Sequence, residues 1–405
     1  MSEALVVVGN GMAATRLVKE LSSRALGKFS ILVIGDEPRS AYNRVLLSSY
    51  LAKEIDAGSL DLLPRNWSRQ AGVTYMTGSA AASIDRRAKT VLLANGKSIR
   101  YDKLVLATGS QPIRLPKPGM NLPGVVTFRD LQDVSQMIAA AKSRARAVVI
   151  GGGLLGIEAA YGLKRIGADV TLIHIMDRLM ERQLDGRAAA MLKDAIERKG
   201  IDVKLSADTA FVEGEACAEA VVLTDGTRLD ASLVVCAVGI RPNILLSQSV
   251  GLDTGRGVKV NDLLRTSDPH IYAIGECAEH RGVCYGLVEP AYDQANILAA
   301  HLSGKSSAAY EGSMLSTNLK VSGVSVFSAG DFEGTKGSQS IVYADTAGGV
   351  YKKLVVSGNR LTGAMLYGDA TDARWYLELM RAGTDIGHIR ESLAFGQGMA
   401  VRMAA

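Results

Sequence analysis

Two glycine turns carry the residues best suited to chemistry in this chain. Gly9-Asn10-Gly11-Met12-Ala13-Ala14 follows the apolar run Ala4-Leu5-Val6-Val7-Val8, and Gly151-Gly152-Gly153-Leu154-Leu155-Gly156 follows Ala147-Val148-Val149-Ile150. Each reads as a buried strand, a tight turn and a helix, the setting of a dinucleotide site. Glycine lets the backbone approach a pyrophosphate, and the helix start offers free N–H groups and the positive end of its dipole. Two such turns in one chain imply two bound dinucleotides, and two dinucleotides imply electron transfer.

The elements that must position these turns are legible around them. Ser30-Ile31-Leu32-Val33-Ile34 reads as a second strand ending in Gly35-Asp36-Glu37. A carboxylate there can accept from both ribose hydroxyls, with Glu37 favoured over Asp36 and a solvated turn as the plainer alternative. Lys103-Leu104-Val105-Leu106 reads as a strand ending in Ala107-Thr108-Gly109. Pro112, Pro116, Pro118 and Pro123 then mark a stiff, irregular crossover. The second βαβ unit closes at 233–239, on Gly239, and Arg241-Pro242-Asn243 marks the return. Residues 266–276 form a strand ending in Gly275-Glu276, and a helix over about 290–302 closes the first domain. From Ser316 the pattern changes to short antiparallel strands (319–327, 340–344, 350–356, 361–366) and a helix over 372–380. The reading is α/β, with domains at 1–112 plus 244–315, at 113–243, and an α+β domain at 316–405.

Composition limits the function classes. A chain of 405 residues needs two or three domains. Aromatic residues at 5% with no basic-aromatic stripe argue against nucleic acid as a partner. The net charge of +5 is spread without a Lys/Arg block, which fits an ordinary basic enzyme or a mild preference for an acidic redox partner. A strand begins almost at the N-terminus, leaving no room for a signal peptide. The longest apolar stretch, 147–163, contains Glu158 and the glycines, so no membrane span is expected. Cys217, Cys236, Cys277 and Cys284 form no CxxC or CxxxxC pair and read as reduced thiols in a cytoplasmic protein.

As a set, the two turns, the Ala-Thr-Gly strand end and the late Gly-acid strand end resemble the two-dinucleotide-binding-domain flavoproteins. The resemblance implies two Rossmann-like domains (glutathione-reductase-like) and a C-terminal α+β domain, with FAD on the first turn and NAD(P)H on the second. Ala41-Tyr42-Asn43-Arg44-Val45-Leu46-Leu47-Ser48-Ser49 resembles the flavin segment of the rubredoxin and ferredoxin reductase branch. His174-Ile175-Met176-Asp177-Arg178-Leu179-Met180-Glu181-Arg182-Gln183-Leu184-Asp185 is similar to the nucleotide stretch of NAD(P)H-dependent nitrite reductase large subunits. So are Tyr272–Cys277, 285–292, Leu319-Lys320-Val321-Ser322-Gly323-Val324 and Leu366-Tyr367-Gly368-Asp369. In those subunits an iron-sulfur segment and a sirohaem module follow the flavin portion. Here no cysteine lies beyond Cys284, and thiolate ligands for a cluster are lacking. The resemblance is therefore to the flavin portion. It implies a separate diaphorase subunit whose partner is a nitrate or nitrite reductase catalytic subunit or an iron-sulfur carrier. A freestanding rubredoxin or ferredoxin reductase is the alternative, and a non-catalytic NADH-binding redox sensor a lesser one.

The same resemblance implies the site. Gly9, Gly11, Met12, Ala13 and Ala14 would hold the FAD diphosphate, with Arg44 and Ser48 in support; a guanidinium can give phosphate two parallel bonds. Glu276 would meet the ribityl hydroxyls, and Ala107, Thr108, Gly109, Gly239, Glu289 and Pro290 would line the cofactors. Gly151, Gly153, Leu155 and Gly156 would hold the NAD(P)H pyrophosphate. At the next strand end stands His174, where NADH-preferring relatives often carry glutamate; Arg178 is near enough to meet a 2′-phosphate. A neutral histidine can still serve a ribose hydroxyl, and NADH is favoured over NADPH. Glu158 would lie near the nicotinamide. Relatives pair it with a lysine where this chain has Ser49, so either Lys53, one turn on if the stretch is helical, takes that place or the pair is absent. No metal, acid or nucleophile is required, because the cofactors carry the reaction.

Overall fold

The computed structural model describes residues 2–141, 145–305, 308–321 and 323–404. The chain divides into two compact units, one of residues 1–47, 55–112 and 240–313, the other of residues 48–54, 113–239 and 314–405.

In the first unit the strand Glu3–Val8 pairs in parallel with Phe29–Ile34 on one side and Lys103–Leu106 on the other. Val73–Met76 and Ile271–Ala273 extend the sheet to five strands. Leu5, Val6, Val7 and Val8 are all buried, as a parallel strand covered on both faces requires. The helix Met12–Arg24 is the first crossover, and Val288–Ser303 packs beside it. Pro290 is tolerated in that second helix because first-turn N–H groups have no intrahelical acceptor. An antiparallel three-stranded sheet, Ala81–Asp85, Thr90–Leu93 and Ser98–Arg100, is inserted ahead of Lys103. Ser110–Pro112 and Ile240–Pro242 pair antiparallel where the chain leaves this unit and returns to it.

The second unit repeats the plan. Its parallel sheet runs Asp202–Lys204, Asp169–Ile173, Arg146–Ile150, Leu233–Cys236 and Val125–Thr127. The helices Leu154–Arg165 and Gly186–Glu197 follow its first two βα turns, and another antiparallel insert spans Thr209–Glu213, Ala220–Leu223 and Arg228–Asp230. Asp185 caps the helix Gly186–Glu197, its carboxylate accepting from the Ala188 N–H.

The same unit holds a five-stranded antiparallel sheet in the order Ser316–Val321, Val324–Gly330, Arg360–Tyr367, Val350–Ser357, Gln339–Asp345. The helix Ala373–Ala382 covers it through Tyr376, Leu377 and Met380. The single strand expected over 319–327 is two strands of a hairpin. Gly323, at φ +80°, makes the turn, and Ser322 lies outside the described residues. Two tyrosines tie this sheet to the dinucleotide fold: Tyr351 donates to Asp185 Oδ2 at 2.9 Å and Tyr367 to the Met191 carbonyl at 2.9 Å. No helix among the described residues is long and apolar enough to cross a membrane.

Candidate functional site

Each glycine turn is built by a close backbone approach. Gly9 has φ +115°, and a Cβ there would fall 2.0 Å from the Ala107 carbonyl oxygen. Gly151 has φ +118°, and its Cβ would fall 2.4 Å from the Ala237 oxygen. Only glycine meets both demands, so each turn is locked against the neighbouring strand end. Two residues on, the situation reverses. A Cβ on Gly11 or Gly153 would meet no protein atom within 4 Å. Both glycines stand at the N-cap of their helices with no side-chain cap, so the first-turn N–H groups point outward without a side-chain acceptor. That is a cradle for an anion. Asn10 Oδ1 is buried beside the first turn without a partner among the described residues, a further sign of a polar occupant. The residues present fit a bound dinucleotide at both turns.

Around the first turn the structure gathers most of the residues expected there. Met12 and Ala13 are half-buried at the helix start, and Ala14 is buried. Gly275, at φ +79°, brings the Gly-acid strand end to Ala13, where its Cβ would lie 3.0 Å from that methyl. Its N–H donates to the buried Gln294 Oε1 at 2.7 Å. Glu276 accepts from the Ser110 hydroxyl at 2.8 Å. Thr108 donates to the Asn243 carbonyl at 2.8 Å, and Gly109 turns with φ +65°. Glu37 accepts from the Tyr42 hydroxyl at 2.8 Å and from Arg44, and the guanidinium carbons of Arg39 and Arg44 lie 4.7 and 4.9 Å from the Tyr42 ring centroid. Arg44 therefore rests on the strand-end acid.

Ser48 belongs to the second unit, where its hydroxyl hydrogen-bonds the Glu158 carboxyl. Burial pushes Glu158 up to about 7, against a smaller opposing effect of that hydrogen bond. Lys53 needs correction. The helix runs only over Leu47–Leu51, and Lys53 sits beyond it, exposed, at φ +56°. It is not one helical turn along, and Ser48 rather than a lysine partners Glu158. Gly156 lies under the second turn, with its Cβ position 1.8 Å from the Gly151 oxygen, and Leu155 is exposed at the helix start. Gly239 turns at φ +119° with its carbonyl accepting from the Ile113 N–H at 2.9 Å. Glu289 and Pro290 stand in the first turn of the helix Val288–Ser303.

His174 differs most from its expected part. It is 8% exposed, and both ring nitrogens are occupied by the chain itself. Nδ1 accepts from the Gly152 N–H at 3.0 Å and Nε2 lies 3.0 Å from Glu181 Oε2. Glu181 was legible only as one letter of a long matching stretch; no spacing rule marks it. Arg178 is 3.6 Å from Asp177 and 3.9 Å from Glu333. All four cysteines are free; burial raises the Cys236, Cys277 and Cys284 thiols, which suits inert groups. Among the described residues no cluster of three or more His, Cys, Asp or Glu is placed to hold a metal.

Comparison with known proteins agrees with this architecture. Residues 3–296 match the pyridine nucleotide-disulphide oxidoreductase family, and residues 316–384 match the rubredoxin NAD+ reductase C-terminal domain. The chain is 45% identical over 382 residues to a Bacillus subtilis nitrite reductase [NAD(P)H], covering 94% of this chain and 48% of that protein. It is 40% identical over 391 residues to the B. subtilis assimilatory nitrate reductase electron transfer subunit, covering 96% and 51%. The chain thus spans about half the length of these curated relatives. The crystal structure of NADH:rubredoxin oxidoreductase from Clostridium acetobutylicum superposes with a TM-score of 0.78 at 27% identity, covering 96% of this chain and 97% of that one. The chain belongs to the pyridine nucleotide-disulphide oxidoreductase family.

Proposed function

We propose that this chain is the diaphorase of an assimilatory nitrate- or nitrite-reducing system, carrying electrons from NADH through FAD to a partner redox protein. The observation that supports it most is the duplicated cradle: two open glycine turns at helix starts, each locked by a strand-end carbonyl, within one chain. The relatives named above supply the destination, a nitrate or nitrite reductase catalytic subunit or an iron-sulfur carrier. Bound, the two cofactors supply two-electron exchange and the flavin's capacity to release electrons singly.

The chain's own part is to bind and orient. In this reading residues 1–112 and 244–315 hold FAD, residues 113–243 hold the nicotinamide nucleotide, and 316–405 form the C-terminal domain. Gly9, Gly11, Met12, Ala13 and Ala14 present N–H groups to the FAD diphosphate, Glu37 takes the ribose, and Glu276 takes the ribityl hydroxyls. Arg44 either stays on Glu37 or turns a guanidinium N–H to phosphate. Ala107, Thr108, Gly109, Gly239, Glu289 and Pro290 line the cofactors. Gly151, Gly153, Leu155 and Gly156 receive the second pyrophosphate. Glu158 holds its proton close to neutrality at the start of the second helix. The free thiols suit a reducing cytoplasm.

An anaerobic visible spectrum tests the reading. Flavin absorbance that bleaches with NADH, and recovers when a nitrate or nitrite reductase module is added, is the expected result. A protein that takes up no flavin overturns it. The match over residues 316–384 favours a second reading, a rubredoxin or ferredoxin reductase. Faster reoxidation by rubredoxin than by the nitrogen-oxide enzymes would select it, and tight NADH binding with no acceptor reduced would leave a redox sensor.

A further inference from the structure

We infer that Glu181, positioned by His174, is the carboxylate that reads the adenosine ribose of the nicotinamide nucleotide and selects NADH over NADPH. The inference rests on the second glycine turn being the nucleotide site.

The acid of a dinucleotide fold stands at the end of the second strand, about 20 residues past the first glycine, where it accepts from the ribose 2′-hydroxyl. In this unit that strand is Asp169–Ile173 and the residue after it is His174. The hydrogen-bond pattern assigns its tautomer. The Gly152 N–H donates to Nδ1, so the ring proton is on Nε2 and donates to Glu181 Oε2. The imidazole is thus a spacer, one ring wide, between the glycine turn and a carboxylate.

The loop that delivers Glu181 is built for the purpose. Leu179, Met180 and Leu184 are buried to 1% exposure or less. The Met180 N–H donates to the Gly152 carbonyl at 3.0 Å, and Gln183 and Leu184 close on the Met180 carbonyl at 2.8 and 2.9 Å. Met180 itself is held at φ +50°, a conformation that L residues adopt only under constraint. Gly152 is glycine for the same reason: a Cβ there would lie 2.6 Å from Leu179 and 2.7 Å from the His174 ring. Backbone strain and a forced glycine bring one side chain, Glu181, to the histidine.

The free chemistry of Glu181 suits a ribose diol. Oε2 takes the His174 proton, and among the described residues Oε1 has only a long contact of 3.9 Å to the exposed Arg182. A carboxylate oxygen accepts more than one bond, so Oε1 can receive a hydroxyl. The same charge repels a 2′-phosphate. Arg178, the group that would attract one, is shared between Asp177 and Glu333. Beside His174 the side chains of Ile175 and Met176 are 60% and 44% exposed, an apolar surface suited to an adenine face.

Calorimetric titration of the full chain with NAD+ and with NADP+ tests this without turnover. The wild type is expected to bind NAD+ at least about tenfold more tightly than NADP+, the worth of one charge-assisted hydrogen bond. Glu181→Gln should lose about tenfold in NAD+ affinity and none in NADP+ affinity, with its melting temperature unchanged. His174→Asn keeps an acceptor for the Gly152 N–H but releases Glu181. It should shift the preference in the same direction, and the double variant should be no worse than Glu181→Gln, as expected of a residue acting through another. A wild-type ratio in Glu181→Gln, or tighter NADP+ than NAD+ binding by the wild type, overturns the inference while leaving the nucleotide site standing. Binding of neither nucleotide overturns both.

Discussion

The two glycine turns share a backbone and differ in what surrounds it. Both lock their first glycine against a carbonyl and leave the third position of the turn open to solvent. Both tie the middle residue to the segment after the next strand. In the first unit a side chain does this, Asn10 Nδ2 donating to the Arg39 carbonyl at 3.1 Å. In the second the backbone does it, through the Gly152 N–H and carbonyl. The strand-end acid is direct in the first, Glu37 held by Tyr42 and Arg44, and indirect in the second, Glu181 behind His174. Seven residues past the first glycine the first helix carries Arg16, satisfied by Glu20 at 3.0 Å and Asn296 at 2.8 Å. The second carries Glu158, buried with Ser48 as its hydrogen-bond partner. The backbone geometry is common to the two turns, while the side chains around each differ in charge and in hydrogen-bond partners.

The sharpest way to break the comparison is at the locked glycines. Gly9→Ala and Gly151→Ala each add a methyl into a carbonyl and force a left-handed backbone on alanine. Each should cost about 2–5 kcal/mol of stability, the sum of overpacking and strain, read by urea unfolding. A loss under about 1 kcal/mol for either would mean the two turns are not built alike.

Next comes the contrast at the seventh position. Glu158 is pushed to about 7 from an ordinary 4.5, so the folded protein keeps a proton that the unfolded chain has released. Stability from this group is complete below about pH 4.5, falls as pH rises toward 7, and is level above. Glu158→Gln mimics the protonated acid. It should be more stable than wild type by about 3 kcal/mol at pH 8 and nearly equal at pH 4.5. An unchanged difference at the two pH values would rule out the buried acid. Arg16→Ala should cost only about 1 kcal/mol, for partly exposed pairs and a guanidinium carbon 5.7 Å from the Tyr292 ring centroid. That loss should not vary between pH 5 and 8, and a pH-dependent loss would erase the contrast.

The smallest stability effects belong to the open positions. Gly11→Ala and Gly153→Ala meet no protein atom and should change stability by less than about 1 kcal/mol, the difference between glycine and alanine at an N-cap. Their cost should fall on ligands instead: Gly11→Ala on retained flavin, Gly153→Ala on NAD+ affinity. Full retention of both ligands would show that the open faces are not the cradles.

Much of this was legible in the chain. Glycine after a β-branched run has few other physical readings, so both turns, their parallel strands and the late Gly275-Glu276 strand end could be read directly. The antiparallel inserts at 81–100 and 209–230 were missed, because short strands of mixed polarity carry little periodicity. So were the helix Leu131–Ala141 and the C-terminal helical turns from Gly387 onward. Whether Lys53 continues a helix stayed open in the sequence, because the length of the helix Leu47–Leu51 depends on what packs against it, not on local propensity.

By itself the sequence determined the backbone chemistry: where the chain must turn tightly, which strands are buried on both faces, and where a pyrophosphate can be cradled. These follow from local sterics and hydrophobic patterning, which act over a few residues. Tertiary structure alone decided which side chains meet. His174 and Glu181 are joined through a strained Met180, and Ser48 reaches Glu158 from a segment more than a hundred residues earlier. Hydrogen bonds act over about 3 Å, and no pattern in the chain encodes that distance until the fold has closed it.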